Sequence, residues 1–333
     1  NALGASTTGC RNVAIGELAL GAADTTGVYN VAIGTTAMDA LTTGTHNIAL
    51  GLNALGVSTT GCHNIALGYL ALGAGVTTGK CNIAIGVTAA DALTTGLDNI
   101  AMGLNALGAS TTGCKNVAIG QTAMGGAATT GNDNVAIGTT AMDALTSGAQ
   151  NVGIGINALG ASTTGNYNVA VGHTALGGAD TTGNENVAIG RNSMDALTTG
   201  KMNVAIGSNA LGLSTTGCDN VAIGNFAMGC CIVTGSYNVA LGVLAMCSLT
   251  SGAYNFSVGH YASQNLTTAD YNIAIGRLAG YDVTTADCVV NIGANARQNT
   301  AGVACFSATC VMAAQFTATS DCRSKCKIKD LPY

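Results

Sequence analysis

The side chains best equipped for chemistry in this 333-residue chain are its thirteen cysteines, four histidines and a set of regularly placed asparagines and tyrosines. Cys10, Cys62 and Cys114 recur every 52 residues and Cys218 falls on the same column. With no Cys-x-x-Cys pair, a zinc-finger type of metal site has no support. Cys230, Cys231 and Cys247 fall close enough in the repeat for one bridge, and most of the thirteen cysteines are expected to be small buried hydrophobes in a chain made in a reducing cytoplasm. His46 and His63 lie 17 residues apart, so their rings should stack on a solvated ridge rather than hold a metal. The many glycines form neither a phosphate-binding loop nor a dinucleotide fingerprint in strand-to-helix context. No cofactor and no metal are expected.

The elements that must position these residues are set by a pentad, Asn-[Val/Ile]-Ala-[Ile/Leu/Met/Val]-Gly. Its asparagine falls at Asn12, Asn30, Asn47, Asn64, Asn82, Asn99 and Asn116, and onward through Asn134, Asn151, Asn168, Asn186, Asn203, Asn220, Asn238, Asn255 and Asn272. The spacing runs 18, 17, 17 and repeats, a 52-residue block also seen where NALGASTTGC at Asn1 returns as NALGVSTTGC at Asn53 and NALGASTTGC at Asn105. A fixed short period marks a solenoid, whose repeats bury an apolar face only by stacking on one another. The chain therefore reads as all-β, a parallel β-solenoid (β-roll) of 17/18-residue coils over residues 1–293. A non-repetitive segment 294–319 and a distinct ending 320–333 follow.

Within a coil, alternation places Val13 and Ile15 on one side of a short strand and Asn12 and Ala14 on the other. The column Gly21, Asp39, Gly56, Gly73, Asp91 reads as a corner of left-handed residues, and Thr25-Thr26-Gly27 closes the coil as a second strand and turn. Stacking sets successive asparagines about 4.8 Å apart, where their amides can bond along a ladder, so this column is read as structural rather than ligand-binding. Arg11, Glu17, Lys80, Asp98, Lys115, Asp133, Glu185, Arg191 and Asp219 mark the outer ridges. Tyr237, Tyr254 and Tyr271 share one ridge column, a packing ladder that is also a candidate strip for contacting sugars or a receptor.

Composition narrows the shape and the partners. With 48 Gly, one Pro, no Trp, 4% aromatic and 8% charged residues, a core must be filled in thin layers by Ala, Val, Ile, Leu and Met. Two apolar columns compete for it, the Val/Ile pair and the series Leu20, Met38, Leu55, Leu72, Leu107, Met124 and Met142, and one narrow tube holds only one set. The other would form a long apolar stripe, which predicts side-by-side assembly, most simply a parallel homotrimer about a fibre axis. A net charge of −5 without a basic stripe excludes nucleic acid, and no apolar run is long enough for membrane insertion. An opening in mid-repeat at Asn1 reads as a fragment, and Asn255-Phe256-Ser257 and Asn265-Leu266-Thr267 match glycosylation acceptors.

The coil NVAIGTTAMDALTTG resembles the repeats of phage and giant-virus tail-fibre proteins and, more distantly, the heads of trimeric autotransporter adhesins. The stretch Ser320-Asp321-Cys322-Arg323-Ser324-Lys325-Cys326-Lys327-Ile328 is similar to the opening of the self-cleaving intramolecular chaperone domain that ends endosialidase-type tailspikes. It departs from that pattern at Ser324 and Lys327. The resemblance implies that Ser320 is a nucleophile and Lys325 its base in one self-cleavage event, with no turnover of an external substrate. It also implies a structural fibre on a virion surface or in an extracellular filament, with itself as partner and a host glycan or receptor as a further one. The alternatives are a carbohydrate-binding adhesin and an ice-binding solenoid built on the Thr-Thr pairs, whose register the 18-residue coils are expected to break.

Overall fold

The computed structural model describes residues 1–306. They are all-β, with no helix among them, and divide into two compact units, residues 1–202 and a second beginning at Asn203. Each unit is a parallel β-solenoid. The first stacks three-residue strands from β1 (Val13–Ile15) through β9 (Val152–Ile154) to β11 (Val187–Ile189), and the second runs from β12 (Val204–Ile206) to β17 (Val290–Ile292) and β18 (Ala304–Phe306). Register within a unit is kept by repeat position: Val13, Ala14 and Ile15 lie against Val31, Ala32 and Ile33, and first, middle and last strand residues stay matched from coil to coil.

The core is one layer thick and is filled from two sides. The middle residue of each strand, Ala32, Ala49, Ala66 and their successors, is fully buried against Ala19, Leu20, Ala37 and Met38 and theirs. The Leu/Met column is therefore the enclosed one. Small residues suit the strand centre because the tube must close within 17 or 18 residues, and Ala fills it in most coils, with Ser257 and Asn291 buried there in two of the last ones. At Gly153 even the alanine methyl is missing, and a Cβ there would meet the Cε of Met142 at 3.0 Å.

The corners differ from the sequence expectation. Gly21, Gly56 and Gly73 do not take left-handed angles; the left-handed residues are the ridge residue before each asparagine (Arg11, Tyr29, His46), the second after the pentad glycine (Leu18, Thr36, Asn53) and the buried Leu20, Met38 and Leu55, with φ between 50° and 61°. Such angles cost roughly 1–2 kcal/mol for an L-residue. They persist because they aim each N–H at the adjacent coil: Leu20 N–H donates to the Ala37 carbonyl at 3.0 Å and Thr36 N–H to that of Glu17 at 2.8 Å. Close packing accounts for glycine at Gly21, where a Cβ would lie 2.9 Å from the Leu18 Cα, while the same column takes Asp39 and Asp91 in other coils. The pentad glycine does need its freedom: Gly16 has φ of 127°, and a Cβ there would lie 2.7 Å from the Gly34 carbonyl.

Candidate functional site

Inside the coil the asparagines form a hydrogen-bonded column. The Asn82 Oδ1 accepts the Asn99 backbone N–H and the Asn99 Nδ2, both at 3.0 Å, while the Asn82 Nδ2 donates to the Gly96 carbonyl at 2.9 Å and to the Asn64 Oδ1 at 3.2 Å. Asn12, Asn30 and Asn47 are joined in the same way, as are Asn99 and Asn116 through a backbone N–H. Every amide is used within the stack, and from Asn30 to Asn116 the residues are buried. Asn255 belongs to the same column, donating to the Asn238 Oδ1 and the Ala269 carbonyl, so its acceptor motif is closed to a glycan in the folded chain.

Chemistry must therefore come from the outward columns, of which the strand face is the largest. Val13 and Ile15 keep 45% and 58% of their surface exposed, and Ile48, Leu50, Met102, Ile154, Ile189, Ile223, Phe256 and Ile273 are exposed in the same two columns. Leu52, Leu104 and Ile156 extend the face by one residue at 52-residue intervals. Both units carry this flat aliphatic face.

The ridge preceding each asparagine carries rings. Left-handed angles turn these residues outward, and in-register stacking brings like onto like. Tyr237, Tyr254 and Tyr271 stack with centroids 4.9 and 5.0 Å apart and planes 9° and 4° from parallel. Their faces are turned on one another, leaving edges and hydroxyls to solvent. In the first unit Tyr29, His46 and His63 stack in the same column at 4.9 Å, and the Arg11 guanidinium lies over Tyr29, 5.1 Å from its centroid, and donates to its hydroxyl. Sequence reading placed the two histidines together but missed the Tyr29 ring between them and Arg11, although all four sit one residue before an asparagine.

The Thr-Thr pairs present one hydroxyl outward per coil. Thr25 is buried and donates to the Leu41 carbonyl at 2.8 Å, whereas Thr26, Thr43, Thr60 and Thr78 are exposed. The extra residue of the longer coils is taken up before the pair, so the outward row keeps its register, contrary to the expectation that the 18-residue coils would break it.

Asp39, Asp91, Asp143 and Asp195 share one column, again 52 residues apart, that sequence reading took only for a corner. Burial pushes the carboxyl groups of Asp39, Asp91 and Asp195 above the ordinary range, opposed for Asp195 by the Gly178 backbone N–H and by His173. One buried oxygen of Asp143 and one of Asp195 have no hydrogen-bond partner.

The cysteines correct the expectation of buried thiols. Cys10, Cys81 and Cys288 are exposed and Cys62, Cys114 and Cys218 half-buried on the ridge before the asparagine position, while Cys231 at a bend and Cys305 at the centre of β18 are also half-buried. Cys247 is the buried one and forms a disulfide with Cys230 of the preceding coil, across a Cα separation of 5.1 Å. Among the described residues no three His, Cys, Asp or Glu side chains converge as metal ligands. Ser320 and Lys325 lie outside the described residues. In comparison with known proteins, no family profile matches the sequence and no curated protein matches it.

Proposed function

We propose that this chain is a structural fibre protein, the shaft of a viral tail or surface fibre or of an extracellular filament, and that it works as a parallel homotrimer spacing or presenting an attachment element. The observation that carries this reading is the aliphatic strand face. The core is already filled by Ala, Leu and Met, yet nearly every described coil adds two large aliphatic side chains on the outer face of its strand. Over the eleven strands of the first unit these leave on the order of 800 Å² uncovered, the area one chain contributes to a stable partner interface. A second copy offering the same face in the same register supplies a matching surface.

Light scattering after size exclusion tests this. The wild-type chain should elute as a trimer, and Leu50→Lys with Met102→Lys should give monomers with unchanged far-ultraviolet dichroism. A wild-type monomer at micromolar concentration would overturn the assembly. Self-processing through Ser320 and Lys325 belongs to the same proposal: intact-mass measurement should find a product cut at Ser320 that is lost in Ser320→Ala and Lys325→Ala. The adhesin reading draws less support from the tyrosines, since sugars stack on ring faces and the faces between the three rings are turned on one another. The ice-binding reading rests on a hydroxyl row only one residue wide.

A further inference from the structure

The two ring ladders occupy the same column but differ at the end nearer the N-terminus. Below Tyr29 that position holds Arg11, whose planar guanidinium covers the ring face. Below Tyr237 it holds Asp219. The ridge beside the upper end of the tyrosine ladder carries Asp270 and Asp287, each held by one oxygen, with Asp270 accepting the Ala253 N–H at 2.7 Å and Asp287 the Asp270 N–H at 2.8 Å. Residues 203–306 contain two Lys or Arg side chains, Arg277 and Arg297, and one histidine, His260, and none of them lies in the ladder column. Arg297 is engaged elsewhere, over the Tyr281 ring at 4.9 Å.

From this contrast we propose that the Tyr237 face and the Asp219 carboxylate form a binding site for a planar, delocalised cation, either an arginine-type guanidinium or an aromatic cation. A ring's faces are its negative region and its edges the positive one, so a cation is drawn to the end of a stack and not to its side. At the Tyr237 end, among the described residues, no further ring or guanidinium stacks on the outer face, and the coil below supplies the Asp219 carboxylate to pair with its charge. The same chain makes this contact with its own arginines twice, at Tyr29 and at Tyr281. A planar cation can lie flat on the ring while its edge faces Asp219; an ammonium has no plane to lay down.

Fluorescence titration of the intact chain with thioflavin T, a planar aromatic cation, tests the site. One saturable site per chain is expected, weakened by salt and competed by arginine amide better than by lysine amide. Tyr237→Phe should bind within about twofold of wild type, whereas Tyr237→Leu should lose about fivefold and Asp219→Asn about threefold. The deciding variants exchange the two ends: Asp219→Arg should cap the tyrosine ladder from within and abolish binding, and Arg11→Asp should add a second site. Arg11 and Tyr237 are exposed and Asp219 is half-buried on the ridge, so far-ultraviolet dichroism should not change. Binding that survives both Asp219→Arg and Tyr237→Leu, or the lack of saturable binding by the wild type, would overturn the proposal.

Discussion

Replacing Asn82 by alanine removes one rung of the asparagine column, and the structure says which groups are left stranded. The Asn99 backbone N–H has Asn82 Oδ1 as its acceptor, and the Gly96 carbonyl receives its hydrogen bond from Asn82 Nδ2. Both residues are buried, so water does not replace the lost partners. Asn64 Oδ1 keeps the Asn82 backbone N–H at 2.9 Å, and Asn99 Nδ2 keeps the Gly113 carbonyl at 2.8 Å, so the damage is confined to two groups. An unsatisfied buried donor or acceptor costs about 1–3 kcal/mol, which puts Asn82→Ala on the order of 4 kcal/mol. Because each coil touches only its neighbours, the loss should be local. Hydrogen exchange read by mass spectrometry should show protection falling in residues 65–113 and holding in residues 169–189, alongside a lower urea midpoint. A destabilisation under 1 kcal/mol, or a uniform loss of protection, would refute the reasoning.

Three further outcomes follow from other parts of the coil. Burial raises the folded-state pKa of Asp39, Asp91 and Asp195, so the protonated form is the one the fold favours. Their contribution to stability is complete below the ordinary value of 3.8 and is lost as pH rises through the raised values. Melting temperature should therefore fall on going from pH 3.5 to 7, and the triple Asp→Asn variant should flatten that slope and melt higher than wild type at pH 7. Gly86→Ala, at φ of 137° with the Gly103 carbonyl carbon 2.7 Å from the new Cβ, should cost about 3 kcal/mol or more by chemical denaturation. Gly153→Ala, whose new Cβ meets the movable Met142 methyl at 3.0 Å and the Ala158 carbonyl oxygen at 3.1 Å, in a column where Ala is the usual residue, should stay within about 1 kcal/mol. Reducing the Cys230–Cys247 disulfide, which closes a 17-residue separation, should lower the stability of the second unit by about 3 kcal/mol, read as a shift in its denaturant midpoint with and without reductant.

The repeat, the short strand and the parallel stacking were legible in the sequence because each is carried by spacing. Which apolar column faces inward was not, since Val13 and Leu20 are equally apolar and pattern alone does not rank them. The clue was uniformity: the strand centre is Ala in nearly every coil, while its neighbours range over Val, Ile, Leu, Met and Phe, and the position held most nearly to one size is the packed one. The left-handed angles at Leu20 and Met38 run against the local preferences of those residues and are imposed by bonds to the next coil, which spacing does not reveal. Arg11 over Tyr29 was hidden for a related reason, as the two meet through stacking and lie 18 residues apart.

The left-handed residues also bear on how such a chain can change over time. Three residues in each coil hold a conformation that a lone coil would abandon, and what keeps them there is the hydrogen bonding offered by an adjacent coil. Shape is thus copied from neighbour to neighbour, as in a one-dimensional crystal, and no coil carries the instructions alone. Insertion or loss of a whole 52-residue block leaves every junction as it was, whereas a single-coil change puts a long coil against the wrong neighbour. Length can then drift in steps of three coils without any new packing having to be invented.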